Sequence, residues 1–189
     1  HTPGLKVVVP SNPADAKGLL KAAVRDPNPV LMFEPKKGYR LIKGDVPEGD
    51  YTTPIGPANV TREGTDLTAY AYGMMHYYTL QAAEMVAEQD GISVEVVDIR
   101  TLNPLDKDTI LNSFKKTSKA LIVYEDNRFL GYGAEIAAIL ADEGFEWMDG
   151  PIRRLAGPDV PGVPFSHPLQ EHFMPNPEKI AAAMRELAA

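Results

Sequence analysis

Cysteine is missing from all 189 residues, which removes disulfide scaffolds, thiolate metal sites and a cysteine nucleophile together. Long apolar runs are missing too. None approaches the ~18 residues that a membrane-spanning helix needs, and no charged-then-apolar leader pattern opens the sequence. Positive charge is scarce: 19 lysines and arginines stand against 26 aspartates and glutamates, a net charge of -7. Neither nucleic acid nor an anionic membrane is therefore expected as the main partner, and a cytoplasmic protein is the plain expectation. What is present suits a globular chain, 44% hydrophobic and 24% charged, long enough for a generous core.

The stretch Asp66–Arg100 organises the rest. Leu67–Tyr72 is a dense apolar and aromatic run, the pattern of a strand buried on both faces. After Gly73, residues Met75, Thr79, Ala82, Ala83 and Val86 share one face of a helix, with Gln81, Glu84 and Glu88 turned to water. Asp90-Gly91 stops that helix, and Val94–Ile99 returns as a strand rich in β-branched residues. Two strands joined by a helical crossover run parallel, so this is a βαβ unit. Downstream, Asn103-Pro104-Leu105-Asp106 reads as a helix start, Ala120–Tyr124 as a third strand, and Ile152–Leu155 as a fourth. A helix follows Gly131-Tyr132-Gly133, a proline-rich loop covers Gly157–Pro168, and Asn176-Pro177 caps a last helix. This alternation predicts an α/β domain with helices on both faces of a sheet.

Upstream, Leu5–Val9 is already a buried-type strand although the sequence opens at His1, so a fragment of a longer chain is expected. Asn12-Pro13 starts a helix carrying Ala16, Leu20, Ala23 and Val24, which the prolines at 27 and 29 end, and Val30–Phe33 returns as a strand. Residues 35–65 show no sustained period and read as an ordered linker. Lys36, Lys37, Arg40 and Lys43 cluster within it, either as ordinary solvated surface or as an anion-binding patch.

Chemistry-bearing patterns are sparse. Gly131-Tyr132-Gly133 lacks the third glycine of a dinucleotide fingerprint, since Ile136 stands there, and reads as a tight turn. His76 has no second ligand at helical spacing, and a metal site from His167 and His172 would need acidic help such as Glu171 within an irregular loop, so all three read as surface or interface histidines. Ser11, Ser93, Ser113, Ser118 and Ser166 have no nucleophile-elbow context. Glu125-Asp126, at the carboxyl end of a parallel strand, holds the position where α/β proteins place ligands. Ala23–Asn28 offers something different. A helix C-terminus with unpaired carbonyls, followed by Asp26 and Asn28, suits either capping by water or oxygen ligation of a hard cation.

In this order, HTPGLKVVVPSNPADAKGLLKAAVRDPNPV, EPKKGYR, VPEGDYTTPIG, REGTDLT, VEVVDIRTLNPLD, GYGAEIAA and NPEKI resemble the β subunits of thiamine-diphosphate-dependent 2-oxo acid dehydrogenases. The resemblance implies a three-layer αβα domain like the transketolase C-terminal domain, preceded by the tail of a pyrimidine-binding α/β domain. Residues 1–45 would be that tail, 46–65 a linker and 66–189 the C-terminal domain. It further implies a dehydrogenase of pyruvate or branched-chain type, an α2β2 assembly, and thiamine diphosphate with magnesium held mostly outside this segment. No residue here is expected to be catalytic or cofactor-binding, and this segment alone should be inactive. A structural potassium ion is implied at Ala23, Asp26 and Asn28. Implied partners are the dehydrogenase α subunit, a second β subunit and the peripheral subunit-binding domain of the acyltransferase core, the last through Asp159 and Glu171. EPKKGYR leans towards the branched-chain type. One departure stands out: His76 in Gly73-Met74-Met75-His76 comes one place earlier than the family's histidine.

Overall fold

A computed structural model describes residues 2–189. In the amino-terminal part, β1 (Lys6–Val8), α1 (Pro13–Arg25) and β2 (Val30–Met32) form a βαβ unit, followed by a single turn of helix, α2 (Gly38–Leu41). Next come β3 (Asn59–Arg62), β4 (Leu67–Ala71), α3 (Gly73–Asp90), β5 (Val94–Asp98) and β6 (Thr101–Asn103). The remainder is α4 (Lys107–Thr117), β7 (Ala120–Asn127), α5 (Gly133–Glu143), β8 (Arg153–Gly157), α6 (His167–Phe173) and α7 (Pro177–Ala188).

Two separate sheets result. The larger has the order β3-β5-β4-β7-β8, and its strands are parallel except β3, which runs antiparallel to β5. Period-2 alternation splits its side chains between two cores. Leu67, Ala69, Ala71, Val94, Val96, Leu121 and Val123 point to α3 and α7, where they meet Met75, Val86, Ile180 and Met184. Tyr70, Val97, Ile122 and Tyr124 point the other way, to Phe114 of α4 and Ile136 and Leu140 of α5. Each such side chain, fully buried, contributes roughly 1.5–3 kcal/mol over its exposed state. The expected asparagine caps are present: Asn12 Oδ1 accepts from Asp15 N at 2.8 Å, and Asn176 Oδ1 from Lys179 N at 2.9 Å.

The smaller sheet has the order β2-β1-β6, and its third strand comes from beyond β5. This departs in part from the expected helix start at Asn103-Pro104-Leu105-Asp106, because Asn103 belongs to β6 and only Asp106 serves the helix. Asn103 instead uses its side chain to donate to the Leu5 carbonyl at 2.7 Å, holding β6 antiparallel to β1. The helix begins at Lys107, capped by Asp106, whose Oδ1 accepts from Thr109 N at 3.0 Å. Within the stretch read as linker, Asn59–Arg62 is an edge strand, and Arg62 Nη1 donates to the Val94 carbonyl at 2.6 Å. Four residues are too few for periodicity to reveal. The proline-rich loop is also shorter than expected, since Pro168 lies in the first turn of α6.

Candidate functional site

The segment after α1 does gather Ala23, Asp26 and Asn28. Asp26 N donates to the Ala23 carbonyl at 3.3 Å, and Asp26 Oδ1 accepts from Asn28 N at 2.9 Å and from Asn28 Nδ2 at 3.3 Å. The other oxygen of Asp26 is ion-paired with the Lys6 ammonium, reaching across from β1. Lys6 above all, then the Asn28 amide, holds the Asp26 carboxyl below its ordinary value. A potassium ion would want several oxygens, and here Ala23 O and the Asp26 carboxylate qualify. Asn28, however, presents its amide nitrogen to Asp26, and Lys6 supplies positive charge where a cation would sit. The fit is therefore partial.

At the carboxyl end of β7, Glu125 and Asp126 are exposed. Glu125 borders a cavity of about 300 Å³ together with Lys37, Met74, Tyr78, Gln170 and Glu171. Partial desolvation raises its pKa, against the pull of Lys37. Lys37 also lies 5.4 Å from the Tyr78 ring centroid, and Lys36, Arg40 and Lys43 are exposed. A larger cavity, about 670 Å³, opens beside the ends of β7 and β8, with Arg128, Arg154, Lys179, His172 and Asp159 on its walls. Asp159 and Glu171 thus border different cavities. His167 lies 3.6 Å from Glu171 one helical turn on, and both are exposed. Neither cavity pairs a nucleophile with a base. No group of three or more His, Asp or Glu side chains fit to hold a metal occurs among the described residues.

The Gly131-Tyr132-Gly133 turn is explained by packing. A Cβ on Gly131 would fall 2.0 Å from the Asn127 carbonyl oxygen, and one on Gly133 2.1 Å from the Tyr124 ring. Between them Tyr132 donates to the Leu102 carbonyl and meets Tyr72 edge-on at 5.9 Å.

A buried polar cluster, with no local signal in the sequence, lies where the two sheets meet. His76 on α3 is 4% exposed, and Asp98 at the end of β5 is 0% exposed. Asp98 Oδ1 accepts from Ser11 Oγ at 2.7 Å, and Ser11 Oγ accepts from Gly73 N at 2.8 Å. Arg100, in a left-handed conformation at φ 54°, donates to Asp15 Oδ1 at 3.1 Å and to the carbonyl of Pro57 at 2.9 Å. Burial pushes the Asp98 carboxyl up to about 7 and the His76 imidazole down to about 4. His76 was expected at a surface or an interface, and the buried seam between sheets is where it lies. Helical spacing could not reveal it, because its neighbours are Thr61 on β3 and Asp98 on β5.

Residues 56–180 match the family described as transketolase, C-terminal domain, and residues 1–42 match transketolase, pyrimidine binding domain. The 2-oxoisovalerate dehydrogenase subunit beta of Bacillus subtilis (strain 168) is 55% identical over 188 residues, covering 100% of this chain and 57% of that protein. The pyruvate dehydrogenase E1 component subunit beta of the same organism is 44% identical over 185 residues, covering 98% and 56%. A solved structure described as split gene transketolase, inactive beta4 tetramer, aligns with a TM-score of 0.76 at 27% identity, covering 98% of this chain and 58% of that one. The chain thus spans a little over half the length of these relatives. The expected three-layer αβα architecture of the transketolase C-terminal type is borne out.

Proposed function

The chain belongs to the transketolase C-terminal-domain family and resembles 2-oxo acid dehydrogenase β subunits as its motifs implied, and from that premise we propose that it is the carboxy-terminal part of such a subunit. The enzyme would decarboxylate a 2-oxo acid on thiamine diphosphate and transfer the acyl group to a lipoyl arm. The observation that carries this reading is 55% identity over 188 residues to a 2-oxoisovalerate dehydrogenase β subunit. A branched-chain substrate is favoured by that relative and by EPKKGYR, with pyruvate second.

The thiamine cofactor and its magnesium would supply the carbanion chemistry, from a site built chiefly by other parts of the assembly. The described residues offer no metal-ligating cluster, and neither of the two cavities pairs a nucleophile with a base. What this segment contributes is scaffold. We assign residues 1–45 to the pyrimidine-binding domain, 46–65 to the linker and 66–189 to the C-terminal domain. The partners would be an α subunit and a second β subunit in an α2β2 enzyme in the cytoplasm. Asp159 and Glu171, both exposed, would meet basic side chains of the acyltransferase's subunit-binding domain. Ala23, Asp26 and Asn28 would contribute part of a potassium shell once Lys6 swings aside. Alone, the segment should be silent, and the 27%-identical split-gene transketolase, described as an inactive β4 tetramer, is consistent with that.

The test is to co-produce the complete subunit with an α partner and follow dye reduction with 2-oxoisovalerate, pyruvate and acetoin in turn. Thiamine-dependent turnover that is fastest with 2-oxoisovalerate is expected. Turnover with none of the three, or without an α subunit, overturns the assignment.

A further inference from the structure

Three buried polar atoms at the seam between the sheets have no hydrogen-bond partner: His76 Nδ1, Asp98 Oδ2 and Arg100 Nε. An unpaired polar atom in a dry interior costs on the order of 1–3 kcal/mol, so the hydrogens around these atoms are worth placing one at a time. Gly73 N–H donates to Ser11 Oγ at 2.8 Å, which frees the Ser11 hydroxyl hydrogen for Asp98 Oδ1 at 2.7 Å. On the far side, Thr61 Oγ1 donates to the Val96 carbonyl at 3.2 Å. With its only hydrogen assigned to that carbonyl, Oγ1 accepts from His76 Nε2 at 2.8 Å. A neutral imidazole carries one N–H. With that hydrogen on Nε2, Nδ1 is a bare lone pair, and it faces Asp98 Oδ2 at 3.9 Å. An ionised Asp98 would set two acceptors against each other in the protein interior.

The one cation facing that carboxylate, Arg100, lowers its pKa, but its guanidinium makes no hydrogen bond to it, and burial outweighs its pull. The charged groups facing the pair are Asp15 on α1 and Arg100 after β5. They are bound to each other at 3.1 Å, and the other guanidinium end of Arg100 serves the carbonyls of Pro57 and Ala58. A buried charge left without a partner neutralises instead.

We propose that His76 and Asp98 hold one proton between them, carried on Asp98 Oδ2 and aimed at His76 Nδ1. This proton completes a one-directional chain of hydrogen bonds from Gly73 N–H through Ser11, Asp98, His76 and Thr61 to the Val96 carbonyl. The chain clasps the Ser11 loop of the amino-terminal segment to α3, β5 and β3 of the larger sheet. Forming the last bond requires the two side chains to close by about 1 Å. When the proton leaves, a negative charge and an unpaired lone pair remain in the seam, and the chain breaks between Asp98 and His76 while Ser11 still donates to the carboxylate.

The pH behaviour follows with opposite signs for the two groups. Asp98 is raised from 3.8 to about 7, so its stabilisation is lost as pH rises through about 7. His76 is lowered from 6.5 to about 4, so its penalty is relieved as pH rises from about 4 to 6.5. Between about 4 and 6.5 the folded pair and the unfolded chain each hold one proton, on the carboxyl and on the imidazole respectively, and the two slopes cancel. Global stability is therefore a poor readout, and local spectroscopy is the right one.

The test combines histidine-ring nitrogen NMR with infrared difference spectroscopy of the chain and its Asp98→Asn variant. At pH 6 the expectation is the Nε2–H tautomer at His76, with a hydrogen-bonded bare Nδ1, and a protonated-carboxyl band that Asp98→Asn removes. That variant keeps the clasp, because its amide N–H can donate to Nδ1 while its oxygen still accepts from Ser11. Ser11→Ala removes a bond that favours the ionised carboxylate, so the carboxyl band should persist to higher pH by about one unit. An imidazolium at pH 6 overturns the proposal. So does an absent carboxyl band, the signature of a buried water donating to both groups, or an unmoved titration in Ser11→Ala.

Discussion

Two βαβ units of nearly the same pattern lie in this molecule, β1–α1–β2 and β4–α3–β5, and they are buried to very different depths. Every residue of β4 and β5 is buried, Glu95 and Asp98 included. In the amino-terminal unit β2 is at best half-buried, with Leu31 44% exposed, and α1 leaves Leu20 49% and Val24 79% exposed. The residues are equally apolar in both. What differs is layering: the larger sheet has α3 and α7 on one face and α4 and α5 on the other, whereas the smaller has three strands and borrows one of them, β6. A pattern specifies an element, but burial depends on what is stacked against it.

The sharpest test removes one apolar side chain from each unit's surroundings. Phe114→Ala, at a residue with 0% exposure, should lose about 3–5 kcal/mol of unfolding free energy, in the range for emptying a packed aromatic site. Val24→Ala should change it by no more than about 0.5 kcal/mol. Urea denaturation reads both, and comparable losses would erase the contrast between the units.

A smaller effect is expected where the units touch. Gly73 has φ 57°, and a Cβ there would lie 3.1 Å from Val9 Cγ1 and 3.3 Å from Pro35 Cγ. Gly73→Ala should cost about 1–2 kcal/mol from the left-handed backbone alone. Since the crowding is against the amino-terminal segment, hydrogen exchange should accelerate in β1 and α1 before it does in β4. Acceleration confined to β4 and α3 would mean the units are not separable in this way. Below that stand the two Asn-Pro caps, which are the same device in the two settings. Asn176→Ala should cost about 1 kcal/mol globally, because α7 covers the larger core. Asn12→Ala should show the same local loss of α1 protection with less change in the global midpoint.

The strands with uninterrupted apolar runs, the asparagine caps and the order of elements were legible in the sequence because each is a local signal. β3 and β6 were not. Asn59–Arg62 and Thr101–Asn103 are too short to show a period, and both exist because a distant strand edge pairs with them. The seam is the stronger case. Ser11 lies in the loop before α1, Thr61 on β3, His76 on α3 and Asp98 on β5, and only the folded chain brings them side by side. At Ala23–Asn28 the oxygens were readable in advance, but the Lys6 ammonium that occupies Asp26 was not, because it arrives from the neighbouring strand.

That lysine supplies the smallest predicted effect, and one that bears on the less buried unit. Lys6 and the Asn28 amide lower the Asp26 pKa, so the stabilisation is fully present above the ordinary carboxylate value and fades as pH falls through the lowered one. Lys6→Met should return the Asp26 titration towards its usual range, seen by carboxyl NMR, and flatten the acid limb of stability. Solvent screens the pair, so the change in midpoint at neutral pH should be slight. The same variant removes the competing ammonium from a site that has carbonyl and carboxylate oxygens. If those oxygens belong to a potassium shell, Lys6→Met should acquire a potassium-dependent midpoint that an equal concentration of tetramethylammonium does not reproduce. Equal responses to the two salts would leave Asp26 as the partner of a lysine and nothing more.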